Sequence, residues 1–191
     1  MQKFPDIYVL RHGQTEWNSQ GRFQGQLDSP LTELGVNQAK QQGVLLGKLS
    51  LDFGQTDAFC SPQLRASRTA RLAGLTARSD ARLKEVYFGD FEGKTRAEIQ
   101  SEIPDFEQSG DFSWHFKVPG GESFEQMHSR CLSFLSDLTR PTVIVTHGIT
   151  SRVLRGIWLG LEMDEMGKLD CDQGCVYCLS KNAQTVLAAP K

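Results

Sequence analysis

Two short runs carry residue types that could do chemistry at one place. In "DIYVLRHGQTEWN", Asp6 to Asn18, an apolar stretch ends in Arg11-His12-Gly13. In "TVIVTHGIT", Thr142 to Thr150, a second β-branched stretch ends in His147-Gly148. The chain holds four histidines, so half of them share one local setting. A third run, "SPQLRASRTA", adds Arg65 within the first turn of a predicted helix. Two guanidiniums offer planar forks suited to phosphate oxygens, and a helix N-terminus adds unpaired N–H groups and partial positive charge. An imidazole flanked by permanent cations loses proton affinity and stays neutral. Neutral imidazole is a nucleophile, and a phosphoryl group gripped by the arginines is its natural electrophile. The glycine after each histidine lets backbone approach a ligand closely.

The elements around these residues must bring them together. Ile7 to Leu10, "DAFCSP" (Asp57 to Pro62) and Thr142 to Thr146 read as short buried strands, with closing strands at Val176–Ser180 and Thr185–Ala188. A helix is predicted from the N-cap Thr32 to about Leu49, with Leu34, Ala39, Leu45, Leu46 and Leu49 as its apolar side. Ser61-Pro62 reads as the N-cap and first position of a helix to about Leu75. The stripe Phe124, Met127, His128, Cys131, Phe134, Leu135 and Leu138 marks a further helix, and Ile149 to Leu159 another. Strands alternating with helices predict one α/β domain over residues 1–191, a three-layer α/β/α sandwich with a mostly parallel central sheet. Ligands of such sheets bind beyond the carboxyl ends of the strands, where both His-Gly pairs would lie.

Composition narrows the class. At 191 residues the chain can build a full core, and a net charge of -2 provides no basic field for nucleic acid. No apolar run approaches the ~20 residues of a membrane span, and "MQKFPDIYVL" is too short in apolar residues for a signal peptide. The expectation is a cytoplasmic protein without membrane or nucleic-acid partners. Five cysteines, an odd number, argue against a closed disulfide framework. Cys171, Cys175 and Cys178 in "CDQGCVYC" have a spacing that resembles radical SAM iron–sulfur enzymes. That family carries its cluster early in a much longer barrel, so the favoured reading is a strand with semi-buried cysteines.

In order along the chain, "LRHGQTEWN", "GRFQGQLDSPLTELG", "CSPQLRASRTA", "LKEVYFGDFEG", "PGGES" and "VTHG" resemble the histidine phosphatase superfamily, the phosphoglycerate mutase-like proteins. The blocks span about Ile7 to Gly160. The resemblance implies a phosphomonoesterase acting through a phosphohistidine, with His12 as nucleophile and Arg11, Arg65 and His147 as the phosphate pocket. Asn18, Gln24, Gly25 and Gly148 are implied as further phosphate-side contacts, and Glu85 as proton donor, with Asp90 and Glu92 nearby. Gln14 stands where Glu is common, Phe91 where Trp is common and Cys60 where Ser is frequent; none removes a functional atom. No metal and no cofactor are expected, since guanidiniums do the neutralising and no ligand-spaced cluster or Walker-type loop is present.

The expected partner is a small-molecule phosphate monoester; oligomeric state is not readable from the chain. Residues 86–120 are the expected lid. Its bases are Lys94, Arg96 and Lys117, against Asp90, Glu92, Glu98, Glu102, Asp105, Glu107 and Asp111. It is also rich in aromatics, including Tyr87, Phe88, Phe91, Phe106, Phe112, Trp114 and Phe116. An acidic, aromatic lid favours an apolar or aromatic leaving group and disfavours a phosphoglycerate mutase, which must grip a second anion; the same aromatics could simply pack the lid on the body. His115 reads as lid structure, His128 as packing, and Cys60 as a thiol whose pKa the pocket could lower. The alternatives are a mutase and a non-catalytic phosphate-binding protein.

Overall fold

The two runs that end in His-Gly form the middle of one sheet. In the computed structural model, which describes residues 4–49, 51–52, 54–103 and 112–189, β1 (Ile7–Arg11) and β4 (Thr142–Thr146) pair in parallel with Arg11 opposite Thr146. Ile7, Val9, Leu10 and all of Val143 to Val145 are fully buried, as strands covered on both faces must be. β2 (Asp57–Cys60) pairs in parallel with β4, and β3 (Arg78–Ser79) in parallel with β2. On the other flank β1 meets β5 (Val176–Ser180), which meets β6 (Ala183–Leu187), both antiparallel. The order is β3-β2-β4-β1-β5-β6. Lys181 and Asn182, both at positive φ, make the tight turn between the last two strands.

In chain order the helices are α1 (Glu16–Ser19), α2 (Glu33–Gly47), α3 (Leu64–Leu72), α4 (Arg96–Glu102), α5 (Phe124–Ser136), α6 (Gly148–Leu159) and α7 (Met163–Gly167). On one face of the sheet, Leu45 and Leu46 of α2 and Ala66 and Ala70 of α3 pack with Leu10, Val143 and Val145. On the other, Met127, Cys131 and Phe134 of α5 and Val153 and Leu154 of α6 pack with Ile7, Val9 and Ile144. The predicted layering is therefore present.

Several local expectations need correction. Leu34 is 52% exposed, so the buried side of α2 runs through Gly35, Ala39, Gln42, Leu45 and Leu46 instead. The cap of α3 is Gln63 rather than Ser61, and Leu64 is its first residue; the Ser61 hydroxyl accepts from Gln63 N and turns the chain one step earlier. Arg65 stays in the first turn. In the expected lid, short 3-10 turns at Gly89–Phe91 and Phe112–Phe116 flank α4. Asp105, Phe106, Glu107 and Asp111 lie outside the described residues. Of the described aromatics, Phe88, Phe91, Phe112 and Trp114 are buried in the α5–α6 layer and Phe116 packs against it, which is the packing reading, whereas Tyr87 is exposed. Three of the four described acids are also occupied: Glu92 accepts from Gln26 N, Glu98 caps α4 and pairs with Arg22, and Glu102 pairs with Lys94.

Cys175 packs on the α5–α6 side and Cys178 on the α2–α3 side of the sheet. Strand alternation thus points these two thiols to opposite faces, which removes the geometry for a shared cluster.

Candidate active site

Parallel pairing of β1 with β4 places the residues after their ends side by side. His12 N donates to Thr146 O at 2.9 Å, and the rings of His12 and His147 have centroids 5.1 Å apart. Arg65 enters between them from the first turn of α3: its Nε lies 3.3 Å from His12 Nε2 and 3.2 Å from His147 Nδ1. A guanidinium N–H is always a donor. His12 Nε2 and His147 Nδ1 must then both carry lone pairs. His12 places its proton on Nδ1, which donates to Gly13 O at 2.8 Å. His147 places its proton on Nε2, which is buried with no hydrogen-bond partner among the described residues.

Both imidazoles are held well below the ordinary histidine range, first by burial and then by the charge of Arg65, with Arg11 adding to it. They are neutral rings beside a permanent cation. Arg65 itself is 2% exposed and thoroughly anchored. Its Nη1 donates to Leu27 O at 2.6 Å and Asp28 Oδ1 at 2.8 Å, and its Nη2 to Gly25 O at 2.7 Å. Burial lowers its pKa and Asp28 pulls it back up; the side chain remains a cation.

Arg11 comes off the end of β1 with Nη1 on Cys171 O at 2.7 Å, while its Nε is buried without a partner. Its guanidinium lies over Gly148: a Cβ there would meet Arg11 Cζ and Nε at 3.5 Å. Two buried donors, Arg11 Nε and His147 Nε2, therefore go unsatisfied among the described residues. Each such group costs about 1–3 kcal/mol, a cost that an acceptor such as an oxyanion would relieve.

Glu85 reaches the site by capping a helix. Its Oε2 accepts from Ile149 N at 3.2 Å, and its Oε1 from Thr150 N and Thr150 Oγ1 at 3.1 and 3.0 Å and from Val86 N at 3.0 Å. His147, the N-cap of α6, makes no side-chain cap bond, so Glu85 does that work from outside.

One cleft of about 290 Å³ is lined by Arg11, His12, Asn18, Gln24, Gly25, Arg65, Glu85 and Gly148, whereas His147 is fully buried and does not itself line it. Asn18 is the third residue of α1; its carbonyl oxygen accepts from Thr15 N and Gln173 Nε2, which leaves its amide nitrogen as a donor. Gln24 is more committed than expected: Nε2 donates to Thr15 Oγ1 and Oε1 accepts from Ser29 Oγ. Gly25 sits at φ +51, and a Cβ would lie 1.9 Å from Glu92 Oε1, so a side chain there would strain the backbone and displace Glu92. Of the runner-up acids, Glu92 is spent on Gln26 N and Phe88 N, and neither it nor Asp90 lines the cleft. A larger groove of about 470 Å³ lies beyond the Asp28–Arg65 pair, between Pro30, Leu31, Leu64 and Arg71, and holds neither histidine.

Four contributors escaped the sequence reading. Asp28 fixes Arg65. Gln63 bridges Gly25 O and Glu85 N through its two amide atoms, both at 2.8 Å. Gln173 ties His12 O to Asn18. Arg152, on the second turn of α6, lines the cleft together with His115. Asp28 and Gln63 stand inside the quoted "GQLDSP" and "CSPQLR" blocks, so their signal was present; Gln173 and Arg152 carry none. Cys60 requires a correction. It is buried, and burial pushes its thiol up rather than down.

Residues 7–187 match the histidine phosphatase superfamily (branch 1). An acid phosphatase of Mycobacterium tuberculosis is 35% identical over 165 residues, 83% of this chain and 78% of that protein. A probable phosphoglycerate mutase of Erwinia tasmaniensis is 35% identical over 167 residues, 81% and 75% of the two chains. Among solved structures, the alpha-ribazole phosphatase of Shigella flexneri superposes with a TM-score of 0.80 at 26% identity, covering 96% of this chain and 95% of that one. A match over nearly the whole length, on a sheet that gathers two neutral histidines around a buried arginine, makes the chain an enzyme of the histidine phosphatase superfamily.

Proposed function

We propose that the protein is a phosphomonoesterase that hydrolyses small-molecule phosphate esters through a phosphohistidine, with no metal. His12 Nε2 attacks phosphorus, and the bond from phosphorus to the ester oxygen breaks as the N–P bond forms. Arg11, Arg65 and the Nε2–H of His147 take the charge on the equatorial oxygens. Glu85 passes a proton to the departing oxygen. It then takes one from water as the water oxygen displaces His12, the electron pair returns to Nε2, and inorganic phosphate leaves. Oε2 is the oxygen suited to this traffic, since it accepts one bond where Oε1 accepts three. Asn18 and the backbone of Gly25 and Gly148 complete the phosphate contacts. Two guanidiniums neutralise the anion, so the scheme calls for no divalent ion.

The observation that carries the reading is the tautomer of His12. The Nδ1–H is committed to Gly13 O, which leaves a lone pair on Nε2 in the cleft. The Arg65 contact to that lone pair is long and shared between two acceptors, and a phosphoryl oxygen can displace it.

The test is turnover of p-nitrophenyl phosphate with acid quenching. Wild type should form an acid-labile phosphoenzyme, and His12→Ala should lose both turnover and labelling while keeping its circular dichroism. Labelling that survives in His12→Ala, or activity removed by EDTA and restored by Mg²⁺, would overturn the scheme. The mutase reading, which the Erwinia relative keeps alive, predicts 3-phosphoglycerate isomerisation faster than hydrolysis. A merely phosphate-binding protein would show neither reaction.

A further inference from the structure

The cleft does not end at the phosphate residues. A second chamber of about 430 Å³ adjoins it, and His115 and Arg152 line both. These two side chains therefore form the threshold between them. Beyond it lie Phe112 and Trp114 on one side and Asp164 and Lys168 of the α7 end on the other. Gly167 lets the Phe112 turn close on α7, since a Cβ there would meet Phe112 Cβ at 2.5 Å. The chamber is thus walled by packed elements, and it is larger than the phosphate cleft it adjoins.

Among the described residues that line it, two cations, Arg152 and Lys168, stand against one carboxylate, Asp164. Arg152 spends Nε on Leu169 O at 2.7 Å, and its guanidinium stands 5.8 Å from the Phe112 ring centre. Both terminal nitrogens of Arg152 have no hydrogen-bond partner among the described residues. Lys168 and Asp164 are exposed, and no ion pair joins them among the described residues. Two free cations facing one carboxylate leave the chamber with unspent donors. Arg152 comes from α6 and Lys168 from the residue that ends α7, whereas residues 86–120 supply Phe112, Trp114 and His115 to the wall.

We propose that this chamber is a leaving-group subsite for phosphate monoesters whose far end carries an anion, a carboxylate in the simplest case. The leaving group crosses between His115 and Arg152. Its chain lies along Phe112 and Trp114, and its terminal anion is held by the Arg152 fork and Lys168 Nζ. The proposal rests on the phosphomonoesterase reading of the adjoining cleft and adds its substrate class.

A series of straight-chain alkyl monophosphates tests it, each length made with a carboxylate end and with a methyl end. Past the length that reaches the threshold, kcat/KM for the carboxylate ester should exceed that of its methyl partner by about tenfold, as a charge-assisted contact implies, and the gap should shrink with added salt. Lys168→Gln, at an exposed helix end, should raise KM for the long carboxylate esters and leave the short methyl esters unchanged. Arg152→Gln should close the gap further, again through KM. Equal rates for the two series at every length, or a Lys168→Gln loss shared by both series, would overturn the subsite while the phosphatase reading stood. No hydrolysis of any ester would sink that reading first and the subsite with it.

Discussion

At the scale of single residues, the site is an exercise in keeping two imidazoles uncharged. Burial does most of this and the charge of Arg65 adds to it; Asp28 is the only ion-pair partner of Arg65 among the described residues. Asp28→Asn should therefore lower kcat about tenfold by loosening the Arg65 fork, with about 1–3 kcal/mol lost in urea unfolding from a buried cation left short of a partner. An unchanged kcat would show that Leu27 O and Gly25 O suffice to hold it. The same depressed histidines make stability pH-dependent. An unfolded histidine takes up its proton near pH 6.5, whereas folded His12 and His147 stay neutral well below that. Below about pH 6.5 the unfolded chain binds more protons than the native one, so stability falls as pH falls. Above about pH 7 the pair contributes no slope. The urea midpoint should drop between pH 7 and 5, and His12→Gln should flatten that drop; parallel profiles for the two proteins would contradict it.

At the scale of elements, what matters is how closely backbones approach. A Cβ on Gly35 would lie 2.0 Å from Gln14 O, and one on Gly13 would lie 2.1 Å from Gly35 O. The chain leaving His12 is thus seated directly on the first turn of α2, and the obstruction on each side is backbone, which cannot rotate away. Gly35→Ala should cost about 1–3 kcal/mol, in the range of an overpacked interior. It should also reduce kcat severalfold by displacing His12; full activity in a destabilised protein would separate the two effects and refute the link. A second device holds the loop before β5. Arg152, Arg155 and Arg11 donate in turn to the carbonyls of Leu169, Asp170 and Cys171. Arg155 is fully buried and makes no ion pair among the described residues, and its guanidinium stacks 3.9 Å from the Tyr177 ring centre. Burial lowers it to about 10, still charged at neutral pH. That loop in turn positions Gln173 against His12 and Asn18.

At the scale of the whole molecule, the catalytic pair belongs to the two central strands. β1 is bounded by β4 and β5, and β4 by β1 and β2. His12 and His147 cannot part without breaking the centre of the sheet. Activity and far-UV ellipticity should accordingly disappear in one urea transition with coincident midpoints. Loss of activity well before loss of ellipticity would mean that the segments covering the cleft, rather than the sheet, limit function. The substrate end behaves differently, because its walls join the consecutive helices α6 and α7 to the Phe112 turn, which precedes them by a whole helix and strand.

How much of this was legible in the chain follows from range. Strand and helix identities, the alternation that makes a parallel sheet, and the chemistry of Arg11, His12, Arg65 and His147 rest on local spacing and on residue type. Those are properties a sequence carries by itself. The start of α3 was displaced because a side chain outside the helix, Asp28, takes its first amides, Leu64 N and Arg65 N. The thiol of Cys60 and the commitment of Gln24 depended on burial and on partners, and neither is encoded nearby. The tautomer of His12, the use of Glu85 as a cap for α6, and the cations of the second chamber required the tertiary structure. Each depends on atoms brought together across the sheet, and only folding sets those distances.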